Sequence, residues 1–330
     1  MSDSLPVTIY STTSSLSFGQ HWDHFLARVG WKRMQHLVPP GLYALGNPTP
    51  DSPVFVSANY TLSFDALRSA LIDWNAYILV LDTKGVNVWC AAGEGTFGTD
   101  ELVERITATR LGEVVHHRHL ILPQLGAPGV ASFDVKRRSG FKVEFGPVRA
   151  IDLPLYMQDH QATPEMRQVR FDLRDRLVLI PIELVHTLLP MLAAAVVLYL
   201  VHGWLEAVSV LAAVLAGTVL FPILLPWIPS REFSPKGYWL GLVVMLPIVI
   251  AMALQMDGLT WAKLTRSLAY LLFMPALTAY LALNFTGSTP FTSRTGVKQE
   301  IFSYIPVMAW MGGLGLFFGM LSSALVYWRI

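Results

Sequence analysis

The chain has 330 residues, of which 53% are hydrophobic and only 14% charged, with a mean hydropathy of +0.46. That is too apolar for an ordinary soluble protein and long enough for two domains. A net charge of +1 gives no general argument for nucleic-acid binding, and a single cysteine rules out an intrachain disulfide or a zinc or iron-sulfur site built from several thiolates.

Residues 1–6 have neither a basic region nor an apolar run, so no signal peptide is expected, and the amino-terminal half is expected in the cytoplasm, where a free thiol is chemically safe. His21 to His36 carries Trp22, Phe25, Leu26, Val29 and Trp31 at roughly helical spacing, and Pro39-Pro40-Gly41 stops it. Pro53 to Ala58 and Tyr77 to Leu81 are short apolar runs of the buried, parallel kind, with Ser63 to Leu67 opening a helix between them. Asp100 to Thr109 reads as a helix with Thr99 as N-cap and two acids in its first turn. His119 to Leu122 and Phe141 to Phe145 are expected as the third and fourth strands, with a helix near Val130 to Arg138 between them. The alternation predicts a doubly wound, Rossmann-like α/β domain over residues 1–165.

A basic linker, residues 166–177, leads into an expected all-α transmembrane domain, residues 178–330. Five runs are apolar enough to cross a hydrocarbon core that needs about 20 helical residues: 178–201, 205–227, 238–256, 264–284 and 305–327. Arg266 interrupts the fourth, where its aliphatic stem is expected to snorkel to the interface. Pro190, Pro222, Pro247 and Pro275 predict kinks in a packed bundle. Placing the amino terminus inside puts Arg167, Arg170, Arg174, Arg176, Arg231, Lys236, Arg294 and Lys298 on the cytoplasmic side, against Lys263, Arg266 and Arg329 outside, so the carboxyl terminus is expected outside. Glu183 and His186 share a helix face, as an interfacial pair rather than an ion path. Met308 and Met311 are expected to pack rather than bind a soft metal. Gly315 to Gly319 is a small-xxx-small pattern suited to a close helix contact, within the bundle or between chains.

In sheets of the expected kind ligands lie beyond the carboxyl ends of the strands. That rule gathers Asn59, Thr83, the Asn87 to Thr99 segment and the Pro123 to Gly129 loop into one rim. Candidate cofactor contacts on it are Asn59, Thr83, Asn87, Val88, Trp89, Cys90, Ala91, Ala92, Gly93, Gly95, Thr96, Gly126, Ala127 and Gly129, the small residues leaving backbone open to close approach. Gly93-Glu94-Gly95 lacks the third glycine of a dinucleotide fingerprint, which favours a macrocycle over NAD. Cys90 acts as one soft ligand or one nucleophile, or else is a small buried hydrophobe. His116, His117 and His119 are too few and too divergent for a tetrahedral metal site.

The string NVWCAAGEGTFGT, Asn87 to Thr99, resembles the cobalt-ligating motif of the membrane corrinoid proteins of mercury methylation, relatives of the large subunit of the corrinoid iron-sulfur protein. SPVFVSANYTLSFDAL from Ser52, AYILVLDTK from Ala76, LILPQLGAPGV from Leu120 and KRRSGFKVEFGPV from Lys136 are similar to the same corrinoid-binding domain in the same order. The resemblance thus covers residues 25–155 or so, and the apolar remainder is similar in kind to that family's membrane half. It implies a cobalamin-type corrinoid held base-off, with Cys90 as lower axial ligand of the cobalt and as the catalytic residue. A thiolate there is soft and electron-donating. The resemblance further implies methyl transfer from the methylated cobalt to Hg(II), giving methylmercury, in a multi-pass protein of a bacterial or archaeal inner membrane. A ferredoxin-like iron-sulfur partner is implied as reductant, since one cysteine cannot hold a cluster in this chain, and a methyltransferase as donor of the methyl group of a methylated folate. Where that family has lysine after Ala-Ala-Gly, this chain has Glu94. Two other readings remain: a membrane corrinoid carrier serving another methyl acceptor, or a transporter with a degenerate cytoplasmic domain, against which scarce intramembrane charge and no visible repeat both argue.

Overall fold

A computed structural model of the chain describes residues 8–256, 260–288 and 294–328, so the leader 1–6 and Arg329 lie outside the described residues. The described chain divides into two compact units at Val169 and Arg170.

The first unit is a mixed α/β domain on one six-stranded sheet, β1 (Ile9–Thr12), β2 (Gly41–Leu45), β3 (Val54–Ala58), β4 (Ala76–Leu81), β5 (His119–Leu122) and β6 (Lys142–Phe145), in the order β1-β2-β4-β3-β5-β6. β3, β4, β5 and β6 run parallel, whereas β2 is antiparallel to β4, with Gly41 opposite Val80 and Leu45 opposite Ala76. Only four strands are expected from the sequence. β1 reads Ile-Tyr-Ser-Thr on the exposed edge and so has no buried run, and β2 is hidden behind Pro39-Pro40.

Alternation along the strands sorts their side chains to two cores. Val54, Val56 and Ala58 face α3 (Val88–Glu94), α4 (Thr99–Ala108), α5 (Leu111–Val114) and α6 (Ser132–Ser139), whereas Phe55, Ile78 and Val80 face α2 (Thr61–Ala70) and α7 (Leu153–Asp159). α1 (Phe18–Arg28) precedes the sheet's second strand, and α8 (Pro164–Arg167) follows α7. The expected helix from His21 to His36 is shorter than its pattern: it ends at Arg28, and Arg33–Gln35 form a separate 3₁₀ turn. Gly98 rather than Thr99 is the N-cap of α4. From β3 the chain crosses to β4 on one side and then returns past β3 to β5 on the other. The crevice at the carboxyl ends of β3 and β5 is therefore the topological switch point of the parallel strands.

The second unit contains α9 (Leu173–Leu177), α10 (Ile180–His202), α11 (Trp204–Leu215), α12 (Phe221–Leu224), α13 (Phe233–Gln255), α14 (Thr260–Asn284) and α15 (Arg294–Trp328). Among the described residues five stretches are long and apolar enough to cross a membrane: Leu173–His202, Trp204–Leu224, Phe233–Gln255, Trp261–Asn284 and Thr295–Tyr327. The second is not continuous α-helix, because a π-helical turn at Ala216–Leu220 precedes Pro222. The carbonyls of Pro222 and Ile223, in the last turn of α12, accept from Arg176 Nη1 at 2.9 and 2.7 Å, so this cation of the expected linker is buried and caps a helix end.

α14, the least apolar of the five, lies against α11, α13 and α15. The Arg266 guanidinium on it pairs with the buried Glu206 on α11. At Gly241 a Cβ would stand 2.8 Å from Pro275 Cα, and at Gly315 it would stand 2.9 Å from Phe273 Cβ. The Gly315 pattern is therefore used inside the bundle. His186 is exposed on α10, and Met308 and Met311 are partly buried on α15.

Candidate cofactor site

Asn59 follows the last residue of β3 and holds the next loop in place. Its Oδ1 accepts from Thr83 N at 3.1 Å, Thr83 Oγ1 at 2.9 Å and Gly85 N at 3.0 Å, while its Nδ2 donates to Asp82 Oδ1 at 3.3 Å. The loop turns through left-handed backbone at Lys84 and Gly85, with φ of 54° and 75°. Any side chain at Gly85 would meet Leu37 Cδ2 at 3.3 Å. Asn59 and Thr83 are both buried, and their polar atoms brace this loop.

The loop delivers Asn87 as N-cap of α3, where its Oδ1 accepts from Cys90 N at 3.0 Å. Cys90 is thus on the first turn of a short helix, half-buried, with a free thiol. Helical spacing divides the motif. Val88, Ala91 and Ala92 face the core and are buried. Cys90, Gly93 and Glu94 share the opposite face, on which Gly93 and Glu94 are exposed, and Trp89 is half-buried beside them. Gly95 closes α3 in left-handed backbone at φ 93°, and no heavy atom lies within 4 Å of where its side chain would begin.

The two expected rim segments do meet, through their small residues. A Cβ at Gly129 would stand 2.2 Å from Phe97 O and 3.0 Å from Ala92 Cα, and Thr99 N donates to Gly129 O at 3.2 Å. At Gly126 the space for a Cβ is filled by the Phe97 ring, 2.5 Å away, and Phe97 is fully buried. Gly126 is buried too, and the absence of a side chain there lets the Phe97 ring pack against its backbone. Ala127 is half-buried on the same loop. Thr96 is the residue whose role the sequence least reveals: its Oγ1 is buried and has no hydrogen-bond partner.

The histidines before β5 do not converge. His116 Nδ1 meets Asp51 Oδ1 at 3.1 Å and His117 Nε2 lies 2.9 Å from Ser52 O, and among the described residues no three His, Cys, Asp or Glu side chains form a metal-binding group. Elsewhere in the first unit, Glu144 on β6 accepts from Tyr156 Oη and meets His160 Nδ1 at 2.6 Å. Burial opposes the charge on Glu144, but these hydrogen bonds outweigh it and hold the carboxyl below its ordinary range, while burial and the bond to Glu144 push the Tyr156 phenol up.

Residues 33–153 match the family described as CO dehydrogenase/acetyl-CoA synthase delta subunit (CdhD). The same region is similar to the acetyl-CoA decarbonylase/synthase complex subunit gamma of Archaeoglobus fulgidus, 34% identical over 113 residues, which are 34% of this chain and 24% of that protein. The corresponding subunit of Methanopyrus kandleri is 32% identical over 123 residues, 37% of this chain and 26% of that protein. The corrinoid/iron-sulfur protein large subunit of Moorella thermoacetica is 23% identical over 150 residues, 43% of this chain and 33% of that protein. The chain therefore spans about a quarter of the length of the gamma subunits it matches. What it shares with the CO dehydrogenase/acetyl-CoA synthase delta subunit family is the segment from β2 to the start of α7, which contains Cys90 and both rim loops, and the match does not extend to the apolar helices.

Proposed function

We propose that the first unit binds a cobalamin-type corrinoid, base-off, with Cys90 as lower axial ligand to the cobalt, and that the chain transfers a methyl group from it to Hg(II). The observation that carries this reading is the free thiol of Cys90 on the face of α3 that also bears Gly93, close in sequence to the open space at Gly95 and the unpartnered buried hydroxyl of Thr96. These residues fit such a group: one soft ligand, an uncrowded surface for a flat macrocycle, and a polar atom able to meet an amide on its periphery. A bound corrinoid supplies a transferable methyl group on cobalt.

The protein's own part is positional. Asn87 fixes the first turn of α3, so that the Cys90 sulfur is presented from a helix rather than a mobile loop. Asn59 and Thr83 hold the loop that leads into it. Trp89, Thr96 and Ala127 are the half-buried neighbours available to contact the ring edge. Reductant would come from a ferredoxin-like iron-sulfur partner, and the methyl group from a methyltransferase using a methylated folate. The five apolar helices would hold the chain in a cell membrane, with the first unit in the cytoplasm and the carboxyl terminus outside.

A second reading, a membrane corrinoid carrier for another methyl acceptor, is favoured by two observations. Glu94 stands one turn from Cys90 on the same face, where the resembled motif has lysine, and the relatives matched are named as subunits of an acetyl-CoA decarbonylase/synthase complex. Anaerobic incubation of the methylated, corrinoid-loaded chain with Hg(II) separates the two: methylmercury formed in step with loss of methyl-cobalt absorbance supports the first, and an unchanged methylated spectrum supports the second.

A further inference from the structure

Helix α1 is arranged with its polar edge inward and its aromatic edge outward. Inside, His24 Nε2 lies 2.7 Å from Asp65 Oδ2 on α2, Asp65 Oδ1 accepts from Arg68 Nε at 2.6 Å, and Asp23 Oδ1 lies 2.7 Å from His36 Nδ1. Outside, at the spacing i, i+4, i+7, stand Phe18, Trp22 and Phe25, exposed by 85%, 54% and 52%, with the rings of Trp22 and Phe25 stacked at 5.2 Å. Trp31 and Met34, in the turn that follows, are also exposed. A helix on the surface of a soluble domain has the opposite arrangement, and a contiguous aromatic edge marks a surface that something covers.

Charge identifies the cover. Arg28, Lys32 and Arg33 are exposed beside this edge, and among the described residues none of them has an ion pair. Between Phe18 and Leu37 the sole carboxylate is Asp23, already held by His36. Aromatic rings flanked by unpaired cations match the interface of a bilayer with anionic headgroups, where indole and phenyl rings settle at headgroup depth and Arg and Lys meet phosphates.

We propose that α1 and the turn after it form a membrane-surface anchor of the first unit, seated on an anionic lipid surface through Phe18, Trp22 and Phe25 and through Arg28, Lys32 and Arg33. It rests on the reading of residues 170–330 as membrane-spanning and is independent of the corrinoid. The same chain then supplies the bilayer, so that even a weak interfacial helix is held at high effective concentration.

The full chain, carrying p-benzoylphenylalanine in place of Trp22, is reconstituted in nanodiscs of phosphatidylcholine alone or with a third of the lipid as phosphatidylglycerol, and irradiated. Lipid adducts at position 22 are expected, several-fold more in the anionic discs, and lowered about fivefold or more by R28Q/K32Q/R33Q. The same photoreactive residue in place of Thr107, on α4 across the sheet, is expected to give none. Adducts to protein instead of lipid, equal yields in both discs, or no adduct in chains that have entered discs would overturn the anchor. A chain that does not enter discs would refute the membrane reading and the anchor with it.

Discussion

Asn87 Oδ1 accepts the backbone N–H of Cys90 at 3.0 Å, so the residue that starts α3 also sets the position of the only thiol in the chain. Replacing Asn87 with Ala removes the cap at a cost of about 1 kcal/mol, a small loss for the domain but a large one for a seven-residue helix. Asn87→Ala is expected to keep the fold and lose corrinoid affinity several-fold, whereas Asn87→Asp, which caps equally well, is expected to retain it. Corrinoid titration of both variants, followed by visible absorbance, checks the pair. Equal losses would show that the amide does something other than capping.

Gly126→Val is expected to fail for a reason of packing. Its side chain would overlap the buried Phe97 ring, which costs roughly 1–3 kcal/mol or more in a tight core. Lowered melting temperature should therefore accompany any loss of cofactor, and G126V/F97A should recover part of the stability. A variant of unchanged stability that lacks cofactor would instead place Gly126 against the ligand.

The hydrogen bonds of the Glu144 cluster set the sign of a pH dependence expected of the first unit. Because the folded carboxyl is held below its ordinary range, its contribution is present at neutral pH and is lost as pH falls through the depressed value. Tyr156, pushed up, contributes fully below the ordinary phenol range and loses that contribution as pH rises through its raised value. Glu144→Gln should melt below the parent chain at pH 7, with the difference closing in acid. A difference that persists at the lowest pH of a folded sample would contradict this account.

In the second unit, Arg266→Leu would leave Glu206 buried without its partner, at a cost of roughly 3–5 kcal/mol. The double variant R266L/E206L should be closer to the parent, since removing both charges also removes their desolvation. Thermal melts in detergent measure both. If the double variant is no better than the single, the pair is not coupled as the geometry indicates.

Much of this was legible in the sequence because it rests on local pattern. β3, β4 and β5 are short, largely apolar runs, and the candidate spans are long enough to be read by length and composition alone. β1 and β2 were not, since a polar edge strand and a Pro-shielded antiparallel strand carry neither signal. At the site, chain order and strand ends bring the motif and the Pro123 to Gly129 loop together, as reasoning from the fold requires. What pattern alone misses is which small residues face inward. Ala91 and Ala92 pack into the core and Gly126 against the Phe97 ring, contacts that small size alone does not reveal. The orphaned Thr96 hydroxyl and the Glu206–Arg266 pair depend on contacts between distant segments and have no local signature.

Glu94 offers a test of electrostatics near the thiol. It is exposed, one turn from Cys90 on the same face. Glu94→Lys is expected to strengthen binding of an acidic reductant or of an anionic corrinoid side group, more so at low salt, with no change in the cobalt-sulfur absorbance. Titration of both chains at two salt concentrations checks this, and matching affinities throughout would show that Glu94 takes no part.

The claim on which the account turns is that the Cys90 sulfur ligates cobalt. It is tested most directly by loading the full chain and its Cys90→Ala variant with the same corrinoid, measuring bound cobalt and recording the visible spectrum of each. The account predicts about one cobalt per chain in the parent, a spectrum that shifts on replacement of Cys90, and loss of methyl transfer in the variant. An identical spectrum with full cobalt occupancy and activity in Cys90→Ala would contradict it.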